Sequence, residues 1–146
     1  MTIVYAEDNP VTLAAYKNRL EQEGFRVRAA RDGVEAMRVM SQCVPDLVIL
    51  DLEMPKFNGG EVLKFIRTNE SLKVVPVVIL STNTIVDATQ EHFLEHANKR
   101  LLKANCNFPI LLKTIQELLG PDKKPAETVE DIFPTPLQVA RRFAHA

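Results

Sequence analysis

Acidic side chains, hydroxyls and one ammonium group directly follow the short apolar segments of this 146-residue chain. In chain order they are Glu7, Asp8, Asp51, Ser81, Thr82 and Lys103. If the apolar segments are parallel strands, their carboxyl ends meet at one edge of a sheet, which is where α/β proteins collect their functional groups. The sequence therefore predicts that three carboxylates, one or two hydroxyls and one ammonium converge.

Such a group of side chains suits magnesium-dependent phosphoryl chemistry. Crowded carboxylates raise one another's pKa unless a cation lies between them, and oxygen ligands with room for water favour Mg²⁺. With the metal present, one carboxylate can attack a phosphoryl group and form an aspartyl phosphate. The ammonium of Lys103 would then pair with a phosphoryl oxygen.

The elements that must position these groups follow from hydrophobic periodicity. Short apolar segments alternate five times with longer amphipathic stretches, which is typical of a βα repeat with a parallel sheet. The pattern predicts strands over 2–6, 25–30, 47–50, 74–80 and 100–102, and helices over 10–23, from 34, from 61, over 85–97 and over 108–119.

Local signals support these boundaries. Asn9 is suited to cap the first helix, Pro10 to open it and Gly24 to close it. The second helix places Val34, Met37 and Met40 at spacings of three, which predicts that they form its buried stripe. Arginines alternate with apolar residues over 25–30, which predicts an edge strand, whereas the unbroken apolar run 47–50 predicts a central one.

Composition narrows the class of protein. The chain is long enough for one domain, its net charge of −1 offers no attraction for nucleic acid or anionic membranes, and 46% hydrophobic residues suffice for a core. Cys43 and Cys106 form no CxxC pair and are expected to be reduced thiols. No apolar run approaches the ~20 residues of a membrane span and no secretory signal opens the chain, so we expect a cytoplasmic protein.

The last 26 residues differ from the rest. They contain four of the nine prolines and balanced charge, so we expect a domain over 1–120 and a linker or tail over 121–146. A short helix near 137–144 and a frayed tail are both compatible with the sequence. The tail is too short for an ordinary DNA-binding domain.

Taken together, these residues and their order along the chain resemble the receiver domain of two-component response regulators. The resemblance covers residues 1 to about 119. The matching features are Glu7-Asp8, the segment from Asp51 to Pro55, Gly59 eight residues beyond Asp51, Ser81 thirty beyond and Lys103 fifty-two beyond. The resemblance implies a flavodoxin-like (βα)5 fold, with a five-stranded parallel sheet of order 2-1-3-4-5 and helices on both faces.

The resemblance also implies roles for these residues. Asp51 would be the phosphoacceptor and a ligand of Mg²⁺, Asp8 a direct ligand, and Glu7 an acidic partner acting largely through water. The backbone carbonyl of Glu53 would complete the protein's share of the metal shell. Ser81 and Lys103 would contact phosphoryl oxygens.

A signalling role with protein partners follows from the same resemblance. The phosphoryl group would come from a sensor histidine kinase or a phosphotransfer protein. The output protein would bind the face formed by the predicted helix 85–97, the fifth strand and the last helix. Direct DNA binding, membrane contact and catalysis on an outside substrate are not expected.

The chain departs from the family pattern at several positions. Ala104 follows Lys103 where the family usually has a proline after a cis peptide, and a cis bond to a non-proline residue costs about 3 kcal/mol. Arg100 replaces the aromatic residue that usually responds to activation, and Thr82 is larger than the usual small residue. Glu53 and Asn83 stand where the family tunes dephosphorylation.

Two other functions stay open. One is a degenerate receiver that binds partners without phosphorylation, which Arg100 and Ala104 favour. The other is a metal-dependent phosphohydrolase, although Glu53 stands where that class has an aspartate as general acid. His92 and His96 have a zinc-compatible spacing, but a third ligand is missing and the acidic flanks favour a solvated helix face.

Overall fold

The computed structural model describes residues 1–82 and 94–120. They contain one parallel sheet of order β2-β1-β3-β4-β5. Its strands are β1 Thr2–Ala6, β2 Arg26–Ala30, β3 Leu47–Asp51, β4 Val77–Ser81 and β5 Lys99–Leu102. The arginine-rich strand β2 lies at an edge and the apolar β3 at the centre, as the residue patterns predict.

Four helices accompany the sheet in these two ranges. They are α1 Pro10–Gln22, α2 Gly33–Gln42, α3 Gly59–Thr68 and α4 Phe108–Leu119. The Asn9 side chain accepts hydrogen bonds from the backbone N–H groups of Val11 and Thr12, which confirms the predicted cap. Gly24 adopts a φ of 95°, a left-handed conformation that suits glycine.

Alternate residues of the strands build two apolar cores, one on each face of the sheet. Val4, Val48 and Ile79 face a core that includes residues of α2 and α3. Ile3, Ile49 and Val78 face the other core, with residues of α1 and α4. The expected α/β fold with helices on both faces is therefore confirmed.

The buried face of α2 differs from the prediction. Val34 is exposed and Met37 only partly buried, while Gly33, Ala36, Val39 and Met40 are buried. A helix repeats every 3.6 residues, so a series spaced strictly by three drifts around its surface. Gly33 also packs so closely on the backbone of Phe57 that a Cβ there would lie 2.2 Å from the Phe57 carbonyl oxygen.

Strand β4 begins three residues later than the apolar pattern predicts. Val74 is 83% exposed, because it belongs to the connection from α3. This connection is fixed by Arg67, whose guanidinium donates hydrogen bonds to the carbonyl oxygens of Lys73, Val75 and His96. The same guanidinium reaches the Asn98 side chain at 2.8 Å, so it joins the starts of β4 and β5.

Most of the predicted helix 85–97 and all of the tail 121–146 lie outside the described residues. In the described end of that helix, the Ala97 N–H donates to the Leu94 carbonyl in a turn before β5. His92 also lies outside, so the histidine pair is not tested. None of the described helices has the length and hydropathy needed to cross a membrane.

Candidate functional site

The register of the sheet brings the predicted site residues to one edge and one face. Ala6 pairs with Leu50, so Glu7 follows β1 at the level of Asp51. Leu80 pairs with both Asp51 and Leu101, so Lys103 lies two residues beyond that level after β5. Side chains two residues apart point to the same face of a strand. Tyr5, Ile49 and Leu101 face α1 and α4, and two residues further along their strands stand Glu7, Asp51 and Lys103.

A buried ion-pair triad results. The Lys103 Nζ lies 2.9 Å from Asp51 Oδ2 and 3.2 Å from Glu7 Oε2. Asp51 is 1% exposed and Glu7 2% exposed, while Lys103 keeps a path to solvent. One ammonium thus faces two carboxylates, which leaves the triad with a negative charge when all three groups are ionised.

Asp8 adds a third carboxylate at the surface of this cluster. One carboxylate oxygen from each of Glu7, Asp8 and Asp51 lies within 4.8 Å of the others. Hard oxygen ligands from two buried and one exposed carboxylate leave coordination positions for water, which is the arrangement that Mg²⁺ prefers. The donor set therefore fits a magnesium ion, and the excess negative charge of the triad favours one.

The electrostatics of Asp51 reflect this crowding. Burial raises the pKa of Asp51, Lys103 lowers it, and the Glu7 carboxylate raises it again, with a net value of about 7. Burial acts to lower the pKa of Lys103, but its hydrogen bond to Asp51 and the charges of Asp51 and Glu7 raise it on balance. The lysine is thus held in its charged form.

The loop between β3 and α3 folds back against Asp51. The Glu53 N–H donates to Asp51 Oδ1 at 3.2 Å, and the Gly59 N–H donates to the Leu52 carbonyl. A Cβ on Gly59 would lie 2.7 Å from the Asp51 carbonyl oxygen, so only glycine fits at this close approach. Gly59 and Gly60 are the first residues of α3, which therefore begins two residues earlier than the predicted start at 61.

Ser81 is at the expected edge, and its hydroxyl makes a contact that the sequence did not predict. It donates to Glu53 Oε1 at 3.1 Å, and the Thr82 N–H lies 3.3 Å from both Glu53 carboxylate oxygens. The Glu53 side chain therefore joins the β3–α3 loop to the end of β4. The spacing that identifies Ser81 gives no information about this bond, because it depends on the path of the loop.

The segment after Lys103 takes a form that needs no proline. Among the described residues no peptide bond is cis, and Lys103–Asn105 form a 3-10 turn closed by the Cys106 N–H and the Lys103 carbonyl. Asn107 then caps α4 by accepting from the Ile110 N–H. Arg100 is exposed on β5, outside the triad.

Comparison with known proteins gives a consistent match. The response regulator receiver domain family matches residues 3–116. The probable methanogenesis regulatory protein FilR2 of Methanothrix harundinacea is 33% identical over 124 residues, which are 80% of this chain and 79% of that protein.

Two similar solved structures carry magnesium. The response regulator TrrA of Thermotoga maritima, in complex with Mg²⁺ and BeF, is 28% identical with a TM-score of 0.70, over 80% of this chain and 97% of that one. The receiver domain of the sensor histidine kinase PA1611 of Pseudomonas aeruginosa PAO1, with magnesium in its active-site cleft, is 28% identical with a TM-score of 0.73. The match covers 82% of this chain and 97% of that receiver domain.

Proposed function

Because this chain belongs to the response regulator receiver domain family, we propose that it is a phosphorylation-dependent switch that accepts a phosphoryl group on Asp51. Receiver domains of two-component systems are signalling switches and bind Mg²⁺ at an acidic pocket. The observation that carries the assignment to Asp51 is its placement. Its carboxylate is buried at the end of the central strand, 2.9 Å from the Lys103 ammonium and beside Glu7 and Asp8.

In this proposal the protein's own groups prepare Asp51 for attack. The ammonium of Lys103 holds Oδ2, and the Glu53 N–H holds Oδ1, so the orientation of the carboxylate is fixed. Bound Mg²⁺, held by Asp8, Asp51, the Glu53 carbonyl and Glu7 acting largely through water, would supply positive charge to the carboxylates and the phosphoryl oxygens. Lys103 would then contact a phosphoryl oxygen.

The phosphoryl oxygens would also compete for Ser81. Its hydroxyl would exchange the Glu53 carboxylate for a phosphoryl oxygen, and this exchange would shift the end of β4. The shift would reach the face formed by β5, α4 and the segment between β4 and β5, where an output protein binds. The donor would be a phosphohistidine of a sensor histidine kinase or phosphotransfer protein.

The test is the mass of the intact protein after incubation with acetyl phosphate and Mg²⁺. The expected result is one added phosphoryl group that disappears with chelator and in Asp51→Asn. Asp46→Asn is the matched control, because Asp46 lies before β3 at the opposite end of the sheet, is exposed and keeps an acceptor for the Thr2 N–H. It should load normally.

Other outcomes would point to the remaining functions. A folded wild-type protein that gains no phosphoryl group from acetyl phosphate or from a phosphohistidine donor would contradict the proposal and favour binding without phosphorylation. Continuous Mg²⁺-dependent turnover of p-nitrophenyl phosphate would favour a phosphohydrolase.

A further inference from the structure

A cavity of about 540 Å³ opens where α3 ends and β4 begins, at the end of the sheet opposite to Asp51. A water molecule takes about 30 Å³ of liquid volume, and pockets for organic ligands occupy about 300–1,000 Å³. The cavity therefore has the size of a site for a small organic molecule. None of the described residues that line it is acidic, and its polar side chains are Lys64, Arg67, Thr68, Lys73 and His96.

Arg67 gives this lining a positive charge in a fixed position. Four of its five N–H groups donate to uncharged oxygens, which are the carbonyls of Lys73, Val75 and His96 and the side chain of Asn98. Within the described ranges no carboxylate forms an ion pair with Arg67. Burial lowers the pKa of Arg67, but an arginine stays charged near neutral pH. Its hydrogen bonds therefore hold the guanidinium in place without neutralising it.

The lysines add positive charge that can move. Lys64 on α3 and Lys73 on the connection to β4 are both exposed. The Lys73 ammonium lies 2.9 Å from the carboxylate of Glu70, which is 89% exposed. Ion pairs between exposed groups contribute little free energy, because water solvates both partners. Lys73 can therefore exchange this partner for an anion in the cavity at little cost.

The surroundings favour a carboxylate over a compact dianion such as phosphate. Phosphate sites commonly use a free arginine fork or the N-terminus of a helix. Here the fork of Arg67 is engaged, and the helix end beside the cavity is the C-terminal end of α3, where the helix dipole is negative. A single negative charge placed toward the lysines meets less repulsion from this dipole.

The cavity also offers apolar surface beside these charges. Val74 lines it and is 83% exposed, and the lysine side chains contribute their apolar stems. A ligand that combines a carboxylate with an apolar part would contact both kinds of surface.

We propose that this cavity binds a small organic carboxylate, whose charged group pairs with Lys73 and Arg67 and whose apolar part covers Val74. The site is separate from the proposed phosphorylation. Val74 precedes β4 and Ser81 ends it, so the length of that strand lies between the cavity and the edge that carries Asp51. Asp51→Asn should therefore bind the carboxylate with an unchanged Kd.

The experiment is an NMR titration of the full chain, without Mg²⁺ and at low ionic strength, with 3-phenylpropionate. Its neutral amide, 3-phenylpropanamide, has the same skeleton and is the matched probe. We expect saturable shifts of the amide signals of Arg67, Thr68 and Lys73, with a Kd on the order of 1 mM. The amide should bind about 3-fold more weakly or worse, because it lacks the charge. Sulfate, a compact dianion, should also bind more weakly at equal ionic strength.

Two pairs of variants at exposed positions test the contacts. Lys73→Glu should weaken binding of 3-phenylpropionate about 3- to 10-fold, because it replaces an attraction by a repulsion. Lys113→Glu makes the same change of charge on α4, which packs on the other face of the sheet, and should have little effect. Val74→Ser should weaken binding, whereas Val11→Ser, at a position 77% exposed on α1, should not.

Several results would overturn the proposal. One is the absence of shifts around the cavity, and another is equal affinity for the acid and its amide. Sulfate that binds as tightly as 3-phenylpropionate would show a site for any anion. An equal loss in Lys73→Glu and Lys113→Glu would show an effect of net charge alone. Loss of binding in folded Asp51→Asn would place the ligand at the other end of the sheet, whereas failure of the carboxylate to bind at all would leave the phosphorylation of Asp51 untouched.

Discussion

The surroundings of the Asp51 carboxyl group favour its neutral form. Burial and the neighbouring Glu7 both oppose its ionisation, and Lys103 offsets only part of that effect. A carboxylate that attacks a phosphoryl group must be ionised, and a pKa of about 7 makes that state available near neutral pH. In the proposed function, a bound cation would reduce the repulsion between the crowded carboxylates and favour the ionised form of Asp51.

This arrangement predicts a pH-dependent gain in stability for Asp51→Asn in metal-free protein. Between the usual pKa of 3.8 and about 7, the folded state holds a proton that the unfolded state has lost. The group therefore stabilises the fold at low pH, and the contribution is lost as the pH rises through 7. The neutral amide avoids that loss, so the variant should be more stable at pH 8 by about 1–3 kcal/mol.

Urea unfolding with chelator at pH 5 and pH 8 checks this expectation. The advantage of Asp51→Asn should shrink at pH 5, where folded Asp51 is mostly protonated. Asp46→Asn, at an exposed position, should show no such dependence. An advantage of the same size at both pH values would show that the carboxylate is not responsible.

At the scale of the elements, the Glu53 carboxylate links the β3–α3 loop to the end of β4. It accepts from the Ser81 hydroxyl and the Thr82 N–H, and the Ser81 bond must break if that hydroxyl is to donate to a phosphoryl oxygen. Glu53→Ala should therefore raise the affinity for beryllofluoride with Mg²⁺ about 3- to 10-fold, which corresponds to one hydrogen bond. Fluorescence or calorimetric titration measures this.

Two further variants separate the bond from the charge of Glu53. Glu53→Gln keeps an acceptor oxygen for Ser81 but removes the charge, and it should show a smaller gain. In Ser81→Ala the serine bond is absent, so adding Glu53→Ala should produce little further change. An equal gain from Glu53→Ala in both backgrounds would mean that Ser81 is not held by Glu53.

The close packing of the β3–α3 loop against the end of β3 leads to a second prediction at the scale of the elements. Gly59→Ala places a Cβ 2.7 Å from the Asp51 carbonyl oxygen and 2.9 Å from Leu52 Cα, both backbone atoms. The loop must shift, so we expect a loss of about 2 kcal/mol or more in urea unfolding together with slower phosphorylation.

Gly60→Ala is the matched control for this substitution. Its Cβ would meet only the Asn58 side chain, at 3.3 Å, and alanine favours a helix over glycine. It should change stability by less than about 1 kcal/mol. A similar loss in both variants would contradict the steric explanation.

Sequence patterns predicted the positions of the strands and helices better than they predicted which helix residues are buried and which side chains meet. Strand ends located Glu7, Asp51 and Lys103, because a parallel sheet aligns the ends of its strands. The prediction for the buried face of α2 was wrong because the small residues Gly33 and Ala36 form its closely packed side, whereas the larger Val34 is exposed. The Glu53–Ser81 bond depends on the path of the loop and on side-chain packing, on which residue spacing gives no information.

At the scale of the whole molecule, the described residues form an apolar core on each face of the sheet, and the matched family region ends at residue 116. We therefore expect a chain that ends at Gly120 to fold and to accept a phosphoryl group at the same rate as the full chain. Thermal unfolding and intact mass measure both properties. A loss of more than a few degrees in Tm would show that 121–146 pack on the domain.

The triad also has a consequence for protein synthesis. Lys103 contacts groups that lie 52 and 96 positions earlier in the chain, so these are among the most distant contacts of the fold. Loops of that length close slowly compared with local helices. A nascent chain that has exposed Asp51 but not yet Lys103 therefore has an acidic cluster without its ammonium, so the triad forms only after residue 103 has been synthesised.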